Sequence, residues 1–299
     1  MERRDFIKSS LAAGLVAATG LPVLAKDANQ TDYDLVAVKD GEPDVMFRKG
    51  IAAIGGMERF VKKGQTVLVK PNIGWAQPPE MAANTNPALV KAVVEDCYKA
   101  GAAKVVVFDH TCNNWQFCYR DSGIAEAVKS ANGIMLPGND AKNYRPVEVS
   151  GGKILKNADV HEALISADVF INVPVLKNHG GAKMTCAMKN LMGVVLDRKF
   201  YHKHDLGQCI ADFMTYRKPD LNIVDAYRIM ASHGPRGVSI DDVRLKKQLL
   251  ISTDPVAIDV AAAMIIGYPP ESISHIRYAI AMGIGKGDLS KLKILKLTV

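Results

Sequence analysis

From Leu35 onward the chain alternates short apolar runs with longer amphipathic stretches. Leu35 to Val38, Thr66 to Lys70, Lys104 to Phe108, Val169 to Val173, Leu221 to Val224 and Leu249 to Ser252 are rich in β-branched residues. Several are apolar at successive positions, as a strand buried on both faces requires. Helical spacing is read over Pro43 to Ile54, Pro87 to Ala100, Gly123 to Ser130, His161 to Ser166, His204 to Tyr216, Pro255 to Ile266 and Ser274 to Ala281. The second of these carries Asn86 as N-cap, Pro87 in the first turn and Gly101 just past its end. Strands alternating with helices predict an α/β fold, a layered, mostly parallel sheet flanked by helices. Val147 to Lys156, around Gly151-Gly152, and Gly237 to Leu250 read as small hairpins, so the sheet should not be purely parallel.

A different pattern stands ahead of the first strand. Met1-Glu2-Arg3-Arg4-Asp5-Phe6-Ile7-Lys8 reads as a twin-arginine export signal, followed by an apolar small-residue stretch to Val23-Leu24-Ala25, a cleavage site. The expected organisation is a leader over residues 1–25 and a single α/β domain over 26–299, exported to the periplasm by the twin-arginine translocase. That pathway carries folded proteins, often with a cofactor already inserted, which raises the prospect of a metal centre. No permanent membrane span is expected, because the best later candidate, Val256 to Ile266, is interrupted by Asp259.

Charge adds one constraint. The excess of Lys and Arg over Asp and Glu gives a formal charge of +7, spread along the chain rather than gathered in a stripe with aromatics. A small anionic molecule is the expected partner, and nucleic acid is not. The chain also lacks a Gly-x-Ser-x-Gly elbow, a phosphate-binding P-loop, a Gly-x-Gly-x-x-Gly turn and a His-Glu-x-x-His helix, which removes the main support for hydrolase, nucleotide-dependent and zincin readings.

Ligands of open α/β sheets lie beyond the carboxyl ends of the strands. Lys70, Asp109, Lys177, His179 and Asp225 all follow predicted strands and should meet at one rim. The densest stretch runs from Asn172 to Gly193, with Lys177, His179, Lys183, Thr185, Cys186, Lys189 and Asn190 around a Gly180-Gly181 turn expected to open a helix. Lys177, His179 and Lys189 are the candidate catalytic groups, since a lysine with depressed basicity or a neutral imidazole suits proton transfer beside a carbonyl. Lys70, Asn72, Lys183, Asn190 and Arg236 are the candidate anion-binding groups. The plain alternative for this stretch is a solvated loop and helix.

Lys70-Pro71-Asn72, Asn84-Thr-Asn-Pro87, Val173 to Gly181, Thr185 to Gly193, Asp225-Ala226 and Asp254 to Asp259 together resemble the family catalogued as Domain of Unknown Function 362, over roughly Asp34 to Gly287. The resemblance implies no settled activity. It implies that some relatives carry iron–sulfur modules with Cys-x-x-Cys-x-x-Cys runs, and this chain has no such run. Any iron–sulfur cluster or transition metal would need its dispersed thiols, Cys112, Cys118 and Cys186, with His202 and His204 as alternative ligands. The competing expectation is a Cys112 to Cys118 disulfide, ordinary in an oxidising compartment, while the odd number of cysteines, five, leaves at least one unpaired.

The leading expectation is therefore an exported metal or iron–sulfur enzyme of redox or isomerase type acting on a small anion. The alternative is a non-catalytic periplasmic anion-binding or accessory protein with the disulfide. Nickel-dependent racemisation of a small hydroxy acid is a third reading, drawn from residue types alone. Asp254 and Asp259 resemble a carboxylate pair, but Asp254-Pro255 reads first as a helix cap.

Overall fold

Each central strand of this protein is apolar on both sides until its last residues, and that switch decides where the polar chemistry collects. The structure, a computed structural model, describes residues 32–299; the expected leader lies outside the described residues. The described residues form one compact unit. Its main sheet follows the order β12-β1-β11-β10-β7-β2-β3-β4. These strands are β1 (Leu35–Lys39), β2 (Thr66–Pro71), β3 (Lys104–Val107), β4 (Ile134–Met135), β7 (Val169–Val173), β10 (Leu221–Met230), β11 (Val243–Ser252) and β12 (Ile294–Thr298). Neighbours from β10 through β4 are parallel, and β11 runs against both β10 and β1. The expected mostly parallel α/β sheet is what the chain forms.

Period-two alternation sends Val67, Val69, Val105, Val107, Ile171 and Ile223 to one face and Leu68, Val106, Phe108, Phe170 and Val224 to the other. The first face is covered by α1 (Pro43–Ala52), α2 (Pro87–Lys99), α3 (Trp115–Asp121) and α4 (Ile124–Ser130), the second by α5 (Glu162–Ile165), α6 (Ala187–Asn190), α7 (Arg198–Lys203), α8 (Leu206–Phe213), α9 (Pro255–Ile266) and α10 (Ser274–Ala281). Two apolar cores therefore sandwich the sheet. Asn86 caps α2 by accepting from Ala88 N at 2.9 Å, and Asp254 caps α9 by accepting from Val256 N and Ala257 N, as the sequence predicted.

The hairpins differ from expectation in extent. β5 (Tyr144–Glu148) and β6 (Asn157–His161) pair antiparallel as a separate two-stranded sheet whose strands lie mostly outside the predicted 147–156. The second hairpin is the long β10–β11 pair, which reaches back to Leu221. A larger correction concerns the Gly180-Gly181 turn. It joins β8 (Val175–His179) to β9 (Lys183–Thr185) as an antiparallel hairpin instead of opening a helix. The helix starts only at Ala187, so Lys183 projects to solvent from β9 while Lys177 and His179 are carried by β8. Among the described residues no helix is long and apolar enough to cross a membrane.

Candidate active site

At the carboxyl ends of β2, β3 and β8 the sheet opens into a cleft of ≈ 680 Å³, closed on its far side by α6 and α7. Of the residues named from the sequence, Lys70, Asn72, Cys112, Lys177, His179, Lys189, Asn190 and His202 line it; Cys118, Lys183, Cys186, His204 and Arg236 do not. Asp109 lines it too. Asp225 is instead buried against the start of α2, where its carboxylate accepts from Asn86 N at 2.8 Å and Tyr227 N at 3.0 Å.

Two lysines form the floor and behave differently. Lys70 Nζ, with no exposed side-chain surface, has Asp109 Oδ1 at 2.8 Å, Asn190 Oδ1 at 2.9 Å and the Pro71 carbonyl at 2.9 Å. Two of its protons are given to the Pro71 and Asn190 oxygens, and the Asp109 carboxylate beside it pairs with the charge. Burial lowers the Lys70 pKa, and the Asp109 carboxylate opposes that. Asp109 is fixed in turn, its Oδ2 accepting from Ile73 N at 2.7 Å. The pair is fitted against Gly193, where a Cβ would fall 1.8 Å from Asp109 Oδ1 and 2.6 Å from Lys70 Nζ, so glycine is required by space.

Lys177 is equally buried but has no carboxylate beside it. Its Nζ donates to Asn72 Oδ1 at 2.8 Å and to the Ala83 carbonyl at 2.7 Å. Its third tetrahedral position has no partner among the described residues. Burial brings its pKa down to about 7, opposed by Cys112 and Asp109, with Lys189 and Lys70 pushing the same way as burial. Around neutrality a large fraction of this side chain is therefore a free amine, with two N–H bonds to carbonyls and a lone pair left over. Lys189, on α6, is lowered to about 8, again by burial, and stays mostly cationic at pH 7.

The imidazoles are held neutral. His179 Nδ1 accepts from Gly181 N and Ala182 N, both at 3.1 Å, which places the ring proton on Nε2. Burial, then Lys189 and Lys177, brings its pKa down to about 3. His110 has Nδ1 at 3.0 Å from the Val195 carbonyl, so its proton sits on Nδ1, and burial lowers its pKa. Arg198, which the sequence did not single out, donates to the His110 carbonyl at 2.9 Å and the Thr111 carbonyl at 2.8 Å, with Cys112 Sγ at 3.5 Å. It secures the loop after β3 and adds positive charge to the cleft wall. Thr185 also lines the cleft, and its buried Oγ1 has no protein partner.

The expected metal ligands are not brought together. All five cysteines are free thiols, so the Cys112 to Cys118 disulfide is absent. Cys118 Sγ faces the Gly74 carbonyl at 3.7 Å and its thiol pKa is raised by burial. Cys186 is buried at the start of α6, bonded to Asp259, with its thiol pKa pushed well up by burial. His204 turns to the Phe200 carbonyl at 2.9 Å and stacks on the Phe200 ring. Among the described residues no three His, Cys, Asp or Glu side chains converge as a metal site needs. Only Cys112 and His202 of that set border the cleft. A metal there would need donors besides these.

The family model described as Domain of unknown function (DUF362) matches residues 67–264. The chain belongs to this family. The matched span includes all of Lys70, Asp109, Lys177, His179, Lys189, Arg198 and His202, so the cleft is a feature of the DUF362 region itself. A thylakoid-associated protein of Synechocystis is 32% identical to the chain over 245 residues, covering 77% of this chain and 72% of that protein. Among solved structures, the lactate racemase apoprotein of Thermoanaerobacterium thermosaccharolyticum is similar at a TM-score of 0.45 and 12% identity, over 75% of this chain and 56% of that one. A Thermotoga maritima structural-genomics protein is similar at 0.42 and 9%, over 62% of this chain and 51% of that one. The chain thus spans about half of each of those structures.

Proposed function

We propose that this DUF362 protein is an enzyme of isomerase type that binds a small organic anion in the cleft and moves a proton at a carbon beside a carbonyl. The observation that carries this reading is the state of Lys177: a buried amine, held by two carbonyl oxygens, with one free position in a cationic cleft. A base with its pKa near the working pH combines a useful unprotonated fraction with real affinity for the proton. Lys189 supplies the fixed charge that an anion needs, and the unpartnered Thr185 hydroxyl supplies a hydrogen bond. His179 Nε2–H is a neutral donor suited to an oxygen on which charge develops, because it meets the oxygen without first neutralising it.

The leader read at residues 1–25 extends the proposal to a periplasmic address reached through the twin-arginine translocase. The metal or iron–sulfur cofactor expected from the thiols is not part of this reading, since the ligand set proposed for it is dispersed.

The test is hydrogen exchange. The protein is incubated in D₂O with a panel of small 2-oxo and 2-hydroxy acids, and loss of each C–H signal is followed by proton NMR. Exchange is expected for at least one acid, with the rate lowered at least about 10²-fold in Lys177→Met, the usual size of a general-base contribution. Saturable binding without exchange would identify a binding protein and overturn the enzymatic reading.

A further inference from the structure

A second reactive side chain reaches the cleft. Cys112, on the loop after β3, is an exposed free thiol that borders the same space as Lys177. Arg198 directs a guanidinium N–H at its sulfur, Nη1 to Sγ 3.5 Å, and fixes the loop through the His110 and Thr111 carbonyls.

The thiol and the amine come from opposite flanks of the segment that follows β2. In the sheet β2 has β3 on one side and β7, then β10, on the other, and β8 pairs with β10. Asn72 to Gly74 lie between and are tied to both. Asn72 Oδ1 accepts from Lys177 Nζ at 2.8 Å, and the Gly74 carbonyl accepts from Cys112 N at 2.8 Å. Gly74 has no side chain to close the gap. A methyl group there would meet Asn72 Oδ1 at 3.8 Å and Cys112 Sγ at 4.0 Å, so the thiol and the partner of Lys177 flank a space that a single carbon bridges. Thr185 marks this cleft independently as a place for a ligand. It stands opposite Lys177 in the β8–β9 hairpin, and its buried Oγ1 has no partner, a cost that a bound oxygen would remove.

We propose that Cys112 is a second catalytic residue, the proton donor facing Lys177 across the substrate carbon, and that the substrate is an acid with a stereocentre beside its carboxyl group, which the enzyme inverts. This rests on the reading of Lys177 as the base. An amine that removes and returns a proton on one face restores the same enantiomer, whereas inversion needs a donor on the other face. In the forward step the Lys177 amine takes the proton from the carbon, and the electron pair left behind is held by the carboxyl group. That pair then forms the new C–H bond with the Cys112 S–H proton on the opposite face. The products are the other enantiomer, a Lys177 ammonium and a Cys112 thiolate. The Arg198 N–H meets the sulfur as its charge develops, and the proton returns from nitrogen to sulfur through water. The other enantiomer follows the same steps in reverse.

The experiment incubates single enantiomers of small 2-hydroxy acids in D₂O, with C–H loss followed by proton NMR and configuration by chiral chromatography. The wild type is expected to exchange and interconvert both enantiomers of at least one acid. In Cys112→Ala interconversion is expected to fall at least about 10²-fold, while the enantiomer whose C–H faces Lys177 still exchanges with retention. Cys112→Ser is expected to behave alike, since a hydroxyl is a far weaker acid than a thiol, and it serves if alanine blocks folding. Interconversion at the wild-type rate in either folded variant would overturn the role. Equal loss of exchange for both enantiomers would also overturn it, because the residue would then only shape the cleft. A wild type that exchanges without inverting would overturn it while leaving Lys177 as the base. A wild type that exchanges no acid would instead overturn the reading of Lys177 itself.

Discussion

Lys70 and Lys177 end neighbouring parts of one sheet, are both buried and each donates to an asparagine, Asn190 for the first and Asn72 for the second, yet one belongs to the frame and the other is left free to react. Lys70 has two hydrogen-bond acceptors and a carboxylate at ion-pair distance. Lys177 has two neutral acceptors and a vacant position. A buried amine that is saturated and paired holds its proton and its place. One that is under-coordinated and unpaired gives the proton up near neutrality, and that surrender makes a base available. The contrast teaches that saturation, more than residue type or burial, separates scaffold from tool in this cleft.

The contrast can be broken hardest at Lys70. Lys70→Met or Asp109→Asn strands one member of a buried ion pair, and unfolding in denaturant should show a loss of about 3–5 kcal/mol, the range for uncompensated buried charges. A loss below about 1 kcal/mol would mean that Lys70 is no more structural than Lys177. Gly193→Ala attacks the same pair through space, because its methyl group would overlap Asp109 and Lys70. Overpacking of this kind should cost about 1–3 kcal/mol in the same assay while leaving the Lys177 titration where it is.

A pH profile sharpens the other half. Exchange of the bound acid should rise as pH passes about 7, where Lys177 loses its proton, and fall as it passes about 8, where Lys189 loses its charge. His179 should add no inflection near neutrality, because burial holds its pKa at about 3. A profile that rises steadily to pH 10 would remove Lys189 from anion binding.

Much of this arrangement was legible in the chain. The apolar runs gave the strands, and polar residues at their carboxyl ends gave Lys70, Asp109, Lys177 and His179 as rim groups. The capping pattern at Asn86 and Asp254 was correct because caps are local. The β8–β9 hairpin was missed because its strands are short and polar and its Gly-Gly turn also suits the start of a helix. Arg198 was missed because its contact with His110 spans 88 residues, and nothing in its own surroundings announces it. The metal reading failed as a ligand set for a physical reason: thiols adjacent in sequence order face different partners once β3, α3 and α6 are packed.

The most direct test of the central contrast needs no substrate. Wild-type protein and Lys177→Met are unfolded in denaturant at intervals from pH 6 to pH 10. Lys177 has a folded pKa of about 7 against an ordinary value of 10.5, so between those values the unfolded chain binds more protons and the wild type gains stability as pH rises. Below pH 7 the cost of a buried ammonium is at its full size and the methionine variant should be the more stable of the two. The account predicts that the wild type recovers about 1.4 kcal/mol per pH unit relative to the variant above pH 7. Two curves that stay parallel from pH 6 to pH 10 would contradict it, because Lys177 would then hold its proton in the fold as firmly as it does in the unfolded chain.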